Sequence, residues 1–178
     1  MADSSITRKA LASALVDLMQ NKDFHKVSVA EICGKCNMNR KSFYYHFKDK
    51  YDLMNWIFDM QLREYTRSQS CMSDWELMLR IARCIYDNRK FYANALNVHG
   101  QNSLNEHIRE LAEPGIYEKL RENMPGDRIT SFHVNFFTDA MLAAFYRWVC
   151  DENCASPEDF LEMIRCCMVF SGRSVERI

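Results

Sequence analysis

Between residues 28 and 47 the sequence requires two short helices joined by almost nothing. Ser28 stands three residues before Glu31, the reciprocal spacing of a capping box that opens a helix. Val29, Ile32, Cys33 and Cys36 then recur at helical intervals as one inward face. Asn37-Met38-Asn39 breaks that pattern, and Asn39 is itself a favourable cap for a further helix over 40–47. In that helix Phe43 and Phe47 form the inward i, i+4 pair, which leaves Arg40, Lys41, Tyr44, Tyr45 and His46 facing outward or sideways. Two helices about a turn of roughly three residues have the dimensions of a helix-turn-helix. Upstream, Ile6, Ala10, Leu11, Ala14, Leu15, Leu18 and Met19 make one apolar stripe, so a helix over 6–19 is available to pack against the pair. Phe24 and Val27 pin the connection.

The rest of the chain reads as longer helices. Asp49 can cap a fourth over 50–69 that is apolar nearly all round, through Tyr51, Leu53, Met54, Trp56, Ile57, Phe58, Met60, Leu62 and Tyr65. A helix of that kind is buried from several sides, as a rod joining two parts of a protein would be. Helices follow over 74–88 and 91–96, then a loop over 97–105. Two pieces over 104–111 and 115–123 are broken at Pro114, and Pro125-Gly126-Asp127 is a turn. A long helix over 129–150 leads to Ser156, Pro157, Glu158 and Asp159, which together open a last helix to about residue 172. With 5 Gly and 3 Pro in 178 residues, the chain lacks the turn residues that a sandwich or barrel demands. The expectation is an all-α protein of about nine helices. A three-helix head occupies 1–50, and a helical body occupies 51–178.

Charge separates the same two parts. The formal net charge is −1, which on its face argues against a polyanionic partner. Residues 1–50, however, hold nine Lys/Arg against five Asp/Glu, or +4, and the other 128 hold 14 against 19, or −5. A basic head on an acidic body suggests that the head meets nucleic acid. No apolar run reaches membrane-spanning length, and residues 1–8 lack the apolar core of a secretion signal. Most of the 8 Cys sit among helical apolar positions, as reduced thiols in a cytoplasmic protein would. Cys33-Gly-Lys-Cys36 lacks the second pair that a zinc site needs, so neither a metal nor a cofactor is expected. There is no phosphate-cradling glycine loop, nucleophile elbow or His-Glu-x-x-His, and the five His are scattered, so an enzyme is not expected either.

The run Ser28-Val-Ala-Glu-Ile-Cys33, followed by Met38-Asn-Arg-Lys-Ser-Phe-Tyr-Tyr-His-Phe-Lys-Asp-Lys-Tyr-Asp-Leu53, resembles the TetR family of bacterial transcriptional regulators. The likeness covers about residues 5–58. The stretch from Lys48 to Ile57 further resembles the sub-group typified by the dihydroxyacetone kinase operon activator. The resemblance implies an all-helical homodimer that sets two third helices in successive major grooves, about 34–36 Å apart, on a palindromic operator. Arg40, Lys41, Ser42 and Tyr45 are then the candidates for base edges, and Ser28, Tyr44, His46 and Lys50 for phosphates. Many members carry Gly where Lys41 stands, so this chain brings an added charge close to the DNA.

In the body, Trp56, Met60, Trp75, Met78, Tyr86, Tyr92 and Phe137 are candidates for an aromatic pocket that takes a small effector. Phe137, Met141, Ala144, Phe145 and Trp148, with Phe160, Ile164, Cys167 and Met168, give the last two helices more apolar width than one core face needs. They are candidates for the dimer interface. The expectation is a DNA-binding regulator, read as a repressor, responsive to a small molecule or a protein. The alternative of the same fold is an adaptor or co-regulator-dependent activator that binds protein and not DNA.

Overall fold

The computed structural model describes residues 2–66, 73–123 and 128–175. Among these residues there are nine α-helices and one short 3-10 turn, and no strand. The head comprises α1 (Ala2–Met19), the 3-10 turn Phe24–Lys26, α2 (Val29–Lys35) and α3 (Arg40–His46). α4 (Lys50–Thr66) leaves it, and α5 (Asp74–Asp87), α6 (Arg89–Leu96), α7 (Leu104–Asn123), α8 (Ser131–Cys150) and α9 (Pro157–Val175) build the body. The expected fold class therefore holds. The predicted ends of the fourth helix at residue 69 and the turn at 125–127 lie outside the described residues.

The short head helices begin where their caps were legible. Ser28 Oγ accepts from the Glu31 amide at 3.3 Å while Glu31 Oε2 accepts from the Ser28 amide at 2.9 Å, which closes the capping box. α2 stops because Asn37 turns left-handed at φ 55°, a conformation asparagine tolerates, and the Met38 amide bonds back to the Cys33 carbonyl at 2.9 Å. Asn39 Oδ1 then takes the Ser42 amide at 2.8 Å and starts α3. Leu11, Leu15, Phe24, Ile32 and Phe43 are all fully buried together, so the three helices share one core.

α4 belongs to both parts. Tyr51 meets Phe24 edge to face at 5.0 Å, and Trp56 meets Phe47 at 5.7 Å. One turn farther on, Phe58 lies edge-on to Tyr92 of α6 and to His107 of α7. His107 Nε2 also lies 2.7 Å from Asp59, which ties α4 to α7. The all-round apolar character of this helix thus reflects head on one stretch and body on the next.

Pro114 does not break the body as expected: α7 runs unbroken through it. A proline inside a helix removes one backbone bond, here to the carbonyl four residues earlier. Both Pro114 and Glu110 face solvent, where water can take the freed carbonyl. The loop over 97–103 requires Gly100, whose φ of +111° excludes side chains. Asn105 Nδ2 fastens its start by donating to the Leu96 carbonyl at 2.6 Å.

α8 and α9 close the body. Trp148 stacks on Phe160 at 4.3 Å with planes 6° apart, and Phe145 meets Phe160 edge-on at 4.9 Å. Tyr86 of α5 stacks on the other flank of Trp148 at 6.0 Å, and the indole Nε1 donates to the Ala155 carbonyl at 2.9 Å. Phe145, Trp148 and Phe160 are at most 9% exposed and hold this chain's own helices together. Their place in the predicted interface is therefore corrected. Helical periodicity could not separate a face that packs on α5 from one that packs on a second subunit.

Candidate nucleic-acid interface

α3 is amphipathic in an unusual way, with phenylalanine inside and tyrosine outside. Phe43 and Phe47 are buried at 0% and 3%, which fixes the helix against the head core. The opposite face then carries Arg40, Lys41, Tyr44 and Tyr45, all exposed. Tyr45 is 82% exposed and Tyr44 57%, a large amount of aromatic surface for an unpartnered helix. Phe43 meets Tyr44 edge-on at 5.4 Å, and the half-buried His46 ring lies edge-on to Tyr45 at 4.8 Å, so the exposed rings are braced from behind. Ser42 is half-buried, and its Oγ is 3.2 Å from Asn39 Oδ1. Arg40, Lys41, Tyr44 and Tyr45 thus share the outward side of one short helix, as the sequence led us to expect.

The structure treats the head cations unequally. Lys22 pairs with Glu31 at 2.5 Å and Lys35 with Asp17 at 3.5 Å. The Arg8 guanidinium lies 5.9 Å from the Trp56 ring centre. Lys50 departs most from expectation. Its Nζ turns into the protein and donates to the carbonyls of Phe24 at 2.7 Å, Val27 at 2.8 Å and His25 at 3.1 Å. It also sits 4.5 Å from the Phe24 ring centre, and burial lowers its pKa from the ordinary lysine value. All three ammonium donors are occupied, so the geometry gives Lys50 a structural task in place of a phosphate. Two cations that sequence reasoning passed over are better placed. Lys26 and Lys48 flank the short helices and are exposed, without an acidic partner. The available signal was the list of acids, since Asp17 and Glu31 neutralise other lysines.

Ser28 is exposed at the start of α2, and its hydroxyl donates to Glu31 Oε2 at 2.9 Å. Hydrogen bonds from Lys22, and then from the Ser28 amide and hydroxyl, hold the Glu31 carboxyl down at about 2, against an ordinary value of 4.5. A carboxylate lowered in this way stabilises the fold above its unfolded value and ceases to as pH falls through its folded one. The wild-type melting temperature should therefore exceed that of Glu31→Gln above about pH 4.5, with the gap closing as pH falls towards about 2. Scanning calorimetry across that window checks it, and a gap that persists at pH 2 would contradict the capping-box role.

Cys33 is buried in the head core, and Cys36 Sγ donates to the Ile32 carbonyl at 3.2 Å. Burial raises the pKa of both thiols, which keeps them protonated and poor as nucleophiles or ligands. Among the described residues no group of three or more His, Cys, Asp or Glu could hold a metal ion.

The proposed aromatic pocket is dispersed. Trp56 packs in the head, Tyr92 is fully buried with its hydroxyl donating to Gln61 Oε1 at 2.5 Å, and Trp75 is 42% exposed. Met60 and Phe137 are half-buried, Met78 packs against the core, and Tyr86 stacks on Trp148. Of the predicted interface residues, Phe137, Met141, Ala144 and Ile164 are half-buried, whereas Cys167 and Met168 are exposed. The large apolar side chains left outside on α8 and α9 include Phe132 at 70%, Phe136 at 56%, Met163 at 53% and Met168 at 52%.

A three-helix head with a basic, aromatic second helix of a helix-turn-helix, mounted on a helical body, defines a class of DNA-binding regulators. Comparison with known families makes this specific. The family model for "Bacterial regulatory proteins, tetR family" matches residues 11–56, and the tetR-type model for "Transcriptional regulator C-terminal region" matches residues 73–168. The chain belongs to the TetR family of transcriptional regulators, whose members are non-enzymatic DNA-binding proteins that typically act as dimers.

Among curated proteins it is similar to the HTH-type dhaKLM operon transcriptional activator DhaS of Lactococcus lactis subsp. lactis, with 33% identity over 93 residues. That match takes in 52% of this chain and about half the length of the relative, and it supports a DhaS-like sub-group. A TetR regulator structure from Streptococcus agalactiae 2603V superposes with TM-score 0.70 at 21% identity, covering 91% of this chain and 93% of the other. NalD of Pseudomonas aeruginosa, described as a secondary repressor of a multidrug efflux pump, gives 0.64 at 20% identity, with 92% and 96% covered. A dihydroxyacetone kinase operon activator DhaS gives 0.59 at 18%, with 92% and 96% replaced by 92% and 95%. No described helix is long and apolar enough to cross a membrane.

Proposed function

We propose that this protein binds a palindromic operator as a homodimer, residues 1–50 reading DNA and residues 51–178 pairing the subunits and sensing an effector. The carrying observation is the outward face of α3, where Arg40, Lys41, Tyr44 and Tyr45 stand exposed around a helix anchored by Phe43 and Phe47. Arg40, Lys41 and Tyr45 are the base-reading residues, with Ser42 at the same end of the helix. Arg and Lys suit guanine's two major-groove acceptors. Tyr44, His46, Ser28, Lys26 and Lys48 hold phosphates and so fix register. Such a regulator works in the cytoplasm, where its DNA is. The relatives' names include an activator and a repressor. The sign here follows from where the operator lies relative to its promoter.

The dimer face we propose is the outer side of α8 and α9. Phe132, Phe136, Ala140 and Ala143 follow one another along α8, and Met163, Cys166, Cys167 and Met168 stand outside on α9. Phe132 and Phe136 stack at 6.2 Å, which presents a ready apolar ridge. Selection from random DNA tests both parts together. The wild-type protein should enrich a palindrome. Phe136→Glu places a charge on the ridge and should give a monomer by sedimentation that enriches a single half-site at most. Recovery of no preferred sequence by the wild type would favour the adaptor reading. A dimeric Phe136→Glu that still enriches the palindrome would remove this face from the interface.

A further inference from the structure

One side chain of the body is built into the head. Asn94 lies on α6, whose Phe91, Tyr92, Ala95 and Leu96 are buried, so the helix is firmly seated. Asn94 Oδ1 accepts from the Phe24 amide at 3.0 Å, and its Nδ2 donates to the carbonyls of Lys22 at 2.7 Å and Met19 at 3.2 Å. Met19 is the last residue of α1, so its carbonyl has no partner within the helix, and Asn94 supplies one from the body. The same connection is strapped from its other side by Lys50, which takes the carbonyls of Phe24, His25 and Val27. Phe24 is fully buried between these two straps. A carboxamide alone offers an acceptor and two donors from one planar group at this reach. Aspartate lacks the donors, and an aliphatic side chain lacks both.

The mechanical consequence concerns angle. The chain leaves the head through α4, and one rod fixes a position but leaves the head able to swing about it. Asn94 adds an attachment from a second helix, and hydrogen bonds lose strength steeply with misalignment, so small displacements of α6 are felt at the end of α1. We propose that Asn94 sets the angle of each head on its body, and hence the separation of the two recognition helices in the dimer. This inference rests on the dimeric operator-binding function proposed above.

The test uses duplexes that carry the palindrome selected by the wild-type protein, at its natural spacing and with one base pair added or removed at the centre. Each such change moves the half-sites by about 3.4 Å and turns them by about 35°. A duplex with a single half-site completes the set. Wild type should lose on the order of 100-fold in affinity on mis-spaced duplexes, because only one head can then engage. Asn94→Ala should lose less than about tenfold on the same duplexes while matching wild type on the half-site. Asn94→Asp keeps the volume and turns two bonds into repulsions. It should behave as alanine does, and it serves if Asn94→Ala does not fold. A variant that melts earlier yet keeps the full spacing penalty would make Asn94 a merely structural tie and overturn the proposal. A wild type indifferent to spacing would instead sink the two-headed function, and the inference with it.

Discussion

Lys41→Ala together with Tyr45→Ala should abolish specific operator binding and leave the helical circular-dichroism spectrum unchanged. The second half of that statement follows from where the side chains are. Tyr45 is 82% exposed and Lys41 is exposed, and neither contributes to the core formed by Phe43 and Phe47. Surface substitutions of that kind usually change stability by no more than about 0.5 kcal/mol. The first half follows from symmetry. A good base contact is worth about 1–3 kcal/mol, and a dimer loses each contact twice. Two lost heads therefore remove roughly 2–6 kcal/mol, or roughly 30-fold to 10,000-fold in affinity. The cations that hold phosphate remain, so weak binding to unrelated DNA should survive, with its steep fall as salt rises. Gel shift on the selected palindrome and on unrelated DNA separates the two. Undiminished binding to the palindrome at low salt would remove α3 as the reading helix.

How much of this was legible in the sequence depended on whether a signal was local. The capping box at Ser28 and Glu31, the Asn39 cap and the Phe43–Phe47 pair involve residues at most four apart, and the structure places all three as the spacing demanded. Exposure of Tyr44 and Tyr45 followed from the same period. Calls on long-range partners fared differently. Nothing near Lys50 in sequence announces three carbonyls 23 to 26 residues upstream, so a lysine at a helix start read as a phosphate ligand. Trp148 and Phe160 read as an interface because an apolar helix face does not say which partner covers it. Here Tyr86, more than 60 residues upstream, covers it. Pro114 misled for a further reason: its cost depends on whether the orphaned carbonyl meets water, and burial is a tertiary property. The pocket was the weakest expectation because aromatic residues along several helices carry no information about convergence. Tyr92 lies in the core, while Trp75 faces solvent.

The charge pattern sharpens in the same way. The +4 of the first 50 residues counts every cation equally, yet Lys22 and Lys35 are paired with acids and Lys50 faces inward. What remains to meet a duplex is a smaller set around α3: Lys26, Arg40, Lys41 and Lys48. The field that attracts DNA is therefore concentrated on the reading face and not spread over the head. The acidic body behind it opposes approach from any other side.

Lys50→Met is the sharpest test of that distinction, since the two roles for this lysine predict opposite results. If Nζ belongs to the carbonyls of Phe24, His25 and Val27, methionine keeps the apolar stem over the Phe24 ring but leaves three part-buried carbonyls without their donor. Hydrogen bonds to a charged group are worth about 1.5–3 kcal/mol each, and three that share one ammonium are not additive. Some of those carbonyls will also recover water. A loss of about 2–4 kcal/mol is expected, which in a chain of this size lowers the melting temperature by roughly 5–15 °C. Well below that temperature, the variant should show the wild-type dependence of operator affinity on salt, because no phosphate contact has gone. A phosphate-binding lysine would give the reverse: an unchanged melting temperature, and a salt slope reduced by about two for the dimer, one for each head. Melting curves and a salt titration on the same preparation decide between them. The structural result would also mean that α4 and α6 grip one connection from both sides, through Lys50 and Asn94, so that the head moves only when one of those grips is released.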